Sequence, residues 1–90
     1  MKRNADKHEI KKRLVLVIAK LMEAKGLTQT AAADLIGIGR PDLSKILRGN
    51  FTVSLEHLLN IVRALGCDVA ITVKVHPHSK QRGRIRLEMA

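Results

Sequence analysis

The sequence predicts a mainly α fold: about four helices in one bundle, followed by a single β-strand. Three observations carry that expectation. Apolar residues recur at three- and four-residue spacing through most of the first 66 residues. Glycines and cap-forming Thr and Ser residues divide those segments into helix-length pieces. From Asp68 the apolar period changes to two and the residues become β-branched.

The first helix is expected over about 7–25. Ile10, Leu14, Val17, Ile18, Leu21 and Met22 define one apolar face, and Gly26 is placed to end the helix in the left-handed conformation. Residues 1–6 read as a flexible basic N-terminus. Thr28 can cap the second helix, Gln29 to Ile36, whose three alanines, Ala31 to Ala33, let another helix approach closely. Gly37, Ile38 and Gly39 form a tight turn. The third helix runs from Arg40 to Leu47, with Pro41 in its first turn, where the missing N–H costs nothing. Ser54 caps a fourth helix, Glu56 suits its positive end, and Leu55, Leu58, Leu59, Val62 and Leu65 form its apolar face up to Gly66.

The strand follows as DVAITVKV, with Val69, Ile71, Val73 and Val75 alternating against Ala70, Thr72 and Lys74 until Pro77 ends it. Its backbone groups need a partner. One choice is the tail, folded back as a hairpin through a second, weaker strand candidate over 84–89. The other is the same strand of a second chain, which makes a two-fold dimer through Val69, Ile71, Val73 and Val75. The organisation expected is thus 1–6 N-terminus, 7–66 helical domain, 67–76 dimerisation strand and 77–90 basic tail.

Composition bounds the chemistry. The chain has 90 residues, 46% of them apolar, and one aromatic, Phe51. The core must therefore be aliphatic, and no aromatic platform exists on which single-stranded bases would stack. The formal net charge is +9. Residues 1–13 hold six basic groups against two acidic, 14–66 six against four, and 67–90 five against two, so the excess gathers at both ends. Such a balance favours a polyanionic partner, most simply nucleic acid. One cysteine, Cys67, permits no internal disulfide and fits a reducing cytoplasm. No apolar run reaches the ~18 residues of a membrane span.

Candidate chemistry is sparse. His76 and His78 offer two metal ligands where zinc needs three or four, Cys67 lies far along the extended segment, and His57 belongs to a separate helix. Neither metal nor cofactor is expected. There is no glycine-rich phosphate loop and no paired-carboxylate pattern. A small basic ribonuclease is the enzyme reading to weigh, and it needs a convergent cluster that the dispersed histidines do not suggest.

The segment from Leu27 to Gly49, LTQTAAADLIGIGRPDLSKILRG, meets a more specific need. Two short helices joined by a glycine turn, with small residues where they touch, let the second helix stand in a major groove while the first fixes its angle. Ala32, Ala33, Leu35, Ile38, Leu43, Ile46 and Leu47 are expected to supply the packing. This segment resembles the phage-repressor-like XRE family, a lambda-repressor-like helix-turn-helix bundle. The following FTVSLEHLLNIVRALGCDVAITV resembles the subset built like HigA-type antitoxins of type II toxin–antitoxin systems.

The resemblance implies DNA binding. Thr28 and Gln29 would meet phosphate at the start of the first motif helix. Arg40, Pro41, Asp42 and Lys45 would face the groove, with Ser44 near phosphate or base and Arg48 by the backbone. Arg40 stands where the family commonly has glutamine, and its two-pronged donor suits the O6 and N7 of guanine. Gly39 stands where a serine or threonine cap is usual. The implied role is a cytoplasmic, homodimeric repressor on a two-fold operator of double-stranded DNA, the antitoxin of a HigB/RelE-type ribonuclease toxin. The alternatives are a stand-alone XRE-family regulator with no toxin and, from another class, the small ribonuclease.

Overall fold

The computed structural model describes residues 2–50 and 52–73, with side chains from Glu9 onward. Four helices follow one another: α1 (Lys2–Ala24), α2 (Gln29–Ile36), α3 (Arg40–Leu47) and α4 (Leu55–Ala64). α1 pairs with α4 and α2 with α3, and smaller contacts of α1 with α3 and α2 with α4 join the pairs.

Local chemistry sets the helix ends. Thr28 Oγ1 accepts the Ala31 N–H at 3.1 Å, and Ser54 Oγ accepts the His57 N–H at 3.0 Å. Each thereby satisfies a donor that the first helical turn leaves over. Gly37 takes the left-handed conformation (φ 88°) and donates to the Ala33 carbonyl at 2.8 Å, which stops α2 and turns the chain toward α3. The helix limits of α2 and α3 coincide with those expected from caps and glycines.

α1 departs from expectation at its start. It begins at Lys2, so the segment read as flexible supplies helix instead. The residues over 2–13 include no Gly or Pro, and the Glu9–Arg13 pair, one turn apart at 2.9 Å, supports the outer face.

The core is aliphatic, as the composition demands. Ile18, Leu43, Leu58, Ile61 and Leu65 are its largest fully buried side chains, and Leu14, Val15, Met22, Ala32 and Ala33 complete most of it. Which face each helix turns inward differs in detail from the sequence pattern. On α1, Val15 and Lys11 are buried, whereas Ile10, Val17 and Leu21 are only half-buried. The stripe is rotated by about one residue. On α4, Ile61 is fully buried while Leu55 is 40% exposed and Leu59 half-buried. Leu35 lies outside the core, 57% exposed on the outer side of α2. A helix has several apolar residues to choose from, and the neighbours it docks against select among them.

The chain after Gly66 differs from the helical part. Among the described residues there is no β-strand, and 67–73 carries neither helix nor strand. Cys67 and Val69 pack against the core, while Ile71 and Val73 are 79% and 87% exposed. A period-two pattern disposes the backbone to extend, but a strand exists only once another strand completes its ladder. Val75, the basic tail and the second strand candidate lie outside the described residues.

Candidate nucleic-acid interface

α3 carries a buried face and a polar face. Leu43 and Ile46 are buried and Leu47 is half-buried, so these anchor the helix to α1 and α2. At 3.6 residues per turn, the centre of the opposite face falls on Pro41, Lys45 and Arg48, all exposed. Arg40 and Ser44 flank that line on one side, one turn apart. Asp42 flanks it on the other. Arg40 and Asp42 are exposed and Ser44 is half-buried.

The turn that presents this face is short. Gly39 is the N-cap of α3, in extended conformation, and has no side chain to accept from the first turn. Its carbonyl accepts the Asp42 and Leu43 N–H groups at 3.1 Å. Asp42 in the first turn and Lys45 in the last complement the helix dipole. At its far end, the Gly49 and Asn50 N–H groups close onto the Ile46 and Lys45 carbonyls. Asn50 Oδ1 then accepts from the Thr52 N–H at 3.1 Å and from its hydroxyl at 2.7 Å, which fixes the start of the loop to α4.

Thr28 and Gln29 open α2 at the other end of the motif. Thr28 is exposed and Gln29 half-buried. The Thr28 oxygen already accepts from Ala31, so its hydroxyl proton is what it can offer an anion. Arg40, Lys45 and Arg48 take part in no ion pair among the described residues. Their charge is therefore available to a polyanion rather than neutralised within the fold.

Beside α3 lies a shallow groove of about 290 Å³. Ile38, Ile46 and Val53 form its apolar part, and Asp42, Lys45, Asn50 and His57 its polar part. Two residues expected to face DNA thus share a groove with His57 from α4. Nothing in the apolar spacing of the sequence assigns His57 to this groove. The signal that would have placed it here is its position three residues after the Ser54 cap, in the turn of α4 nearest the end of α3.

Among the described residues, no group of three His, Cys, Asp or Glu side chains stands close enough to hold a metal. Cys67 is a free, half-buried thiol packed against the core. Of the four histidines only His57 has a described side chain, so no second imidazole is brought to it. Among the described residues, no helix is long and apolar enough to cross a membrane.

Comparison with known proteins agrees with this geometry. Residues 1–74 match the model of a helix-turn-helix domain family. A solved structure assigned by its description to the XRE family of transcriptional regulators superposes with a TM-score of 0.89 at 30% sequence identity. The match covers 97% of this chain and 99% of that one. No curated protein matches. With two short helices joined at Gly37–Gly39, a polar outer face on the second, and likeness over nearly its whole length to an XRE-type structure, the chain belongs to the XRE-type helix-turn-helix family.

Proposed function

We propose that this protein is a DNA-binding transcriptional regulator that inserts α3 into the major groove and represses by occupying its operator. The observation that carries the reading is the outer face of α3, where Arg40, Lys45 and Arg48 are exposed and free of ion pairs among the described residues. Thr28 and Gln29 at the start of α2 take phosphate, with Arg48 on the backbone at the other end of the motif. Pro41, Asp42, Ser44 and Lys45 line the groove-facing side, and Arg40 reads guanine.

A two-fold operator calls for a dimer, since two reading helices one DNA turn apart double the contact. Ile71 and Val73, exposed and apolar, supply the motive for pairing 67–76 with a second copy. Within this reading, the resemblance of residues 51–73 to HigA-type antitoxins makes a ribonuclease toxin the natural second partner. Such a toxin would be neutralised by cover of its active site.

Salt and substitution test the DNA reading together. Binding should weaken with salt at a log–log slope of about −0.9 per phosphate neutralised. Arg40→Ala should lose about 1–3 kcal/mol on the preferred site and relax its sequence preference, while Arg48→Ala should weaken all sequences alike and lower the salt slope by about one. Equal weakening on every sequence by Arg40→Ala refutes its role as a base reader. The antitoxin role is tested by co-expressing this chain with the product of the adjacent reading frame. Failure of that product to co-purify, or to act as a ribonuclease, leaves a stand-alone regulator.

A further inference from the structure

We infer that His57 is a proton-dependent DNA contact: its imidazolium, in the groove that Asp42 and Lys45 also line, takes a phosphate, so affinity for duplex DNA rises as pH falls. The inference rests on the reading of α3 as the DNA-facing helix and adds to it a titrating group from a different helix.

Three observations carry it. The groove is continuous with the outer face of α3, because Asp42 and Lys45 belong to both. A duplex against that face lies beside the groove mouth. His57 is half-buried where it lines that groove. Its backbone N–H is used by Ser54, while its ring has no hydrogen-bond partner among the described residues. The imidazole is thus chemically unspent.

The charged groups that share the groove with it are Asp42 and Lys45 of α3; the Ile38 turn and the Asn50 loop add no charge, and Glu56 precedes His57 on α4. A phosphate brought to the groove adds negative charge beside the ring, and that contact gives the direction. Any increase in proton affinity on binding must appear, by linkage, as tighter binding at lower pH. Each unit by which the phosphate raises the proton affinity corresponds to about tenfold in DNA affinity across the titration. Histidine is the side chain able to make such a contact respond near neutral pH.

The test is fluorescence anisotropy of the full chain with a labelled mixed-sequence duplex several turns long, at constant ionic strength, from about pH 5 to about pH 8. A mixed sequence suffices because a phosphate contact does not depend on the operator. The wild type should tighten by about threefold to tenfold on acidification. His57→Gln should lose that increment, and His57→Lys should bind at the upper pH about as tightly as the wild type does at the lower. A chain with His8, His76 and His78 all replaced by Gln should keep the increment. Circular dichroism of each variant establishes that it is folded, and His57→Lys decides the matter if His57→Gln is not. The proposal is overturned if His57→Gln keeps the full increment, if His57→Lys remains pH-dependent, or if wild-type binding does not vary with pH. Absence of any wild-type binding to the duplex overturns the DNA-facing reading of α3 along with it.

Discussion

Leu35 and Leu43 stand eight residues apart in the helix-turn-helix, and sequence patterning gives both the same task. The structure separates them: Leu43 is 0% exposed at the base of α3, and Leu35 is 57% exposed on α2. Truncation to alanine therefore tests the fold directly. At Leu43 the change removes a fully buried side chain, worth about 1.5–3 kcal/mol in transfer alone. It also opens a cavity in the buried cluster to which Ile18, Leu58 and Ile61 belong too, which brings the expected loss to about 2–5 kcal/mol. At Leu35 less than half of the transfer term is at stake and no enclosed cavity forms, so the loss should stay below about 1 kcal/mol. Alanine's higher helix propensity reduces it further. Urea denaturation followed by circular dichroism, at low protein concentration, measures both. In a domain of this size each kcal/mol moves the melting temperature by about 4–8 °C, so thermal melts should separate the two variants clearly. Equal losses at the two positions, or a Leu43→Ala loss below about 1 kcal/mol, would refute the assignment of Leu43 to the core and Leu35 to the surface.

Three further substitutions probe the helix ends. Gly39→Ser should stabilise by a few tenths of a kcal/mol or more, because a Cβ there meets only ordinary contacts (3.6 Å to Asp42 Oδ2) and a hydroxyl supplies the cap that α3 lacks; a lower melting temperature would contradict this. Ser54→Ala should cost about 1 kcal/mol by leaving the His57 N–H without its acceptor, as chemical denaturation will read. Gly66→Ala should cost about 1–2 kcal/mol, since φ is +95°, a left-handed conformation that a side chain strains; hydrogen exchange should place the loosening at the end of α4.

Much of the helix-turn-helix is legible in the sequence. Thr28 and Ser54 announce helix starts because their hydroxyls satisfy backbone donors within three residues, a short-range matter. The glycine turn and the polar positions of α3 are equally local. The groove is not legible, because Ile38, Lys45, Asn50 and His57 come from different parts of the chain and converge only in the folded bundle. By sequence alone His57 is therefore a stray ligand candidate rather than a neighbour of α3.

The sequence by itself determined where the central helices start and stop, the aliphatic nature of the core, and the excess of positive charge, all of which follow from local hydrogen bonding and composition. Only the tertiary structure decided which apolar residues are buried. Val15 and Ile61 turn inward while Leu35 and Leu55 turn outward, because each helix offers more apolar positions than its neighbours can cover. The same reason governs the end of the chain. Alternation from Val69 to Val73 sets an extended tendency, but Ile71 and Val73 remain exposed among the described residues. Pairing is a property of two strands, and one strand's sequence can specify only its own half.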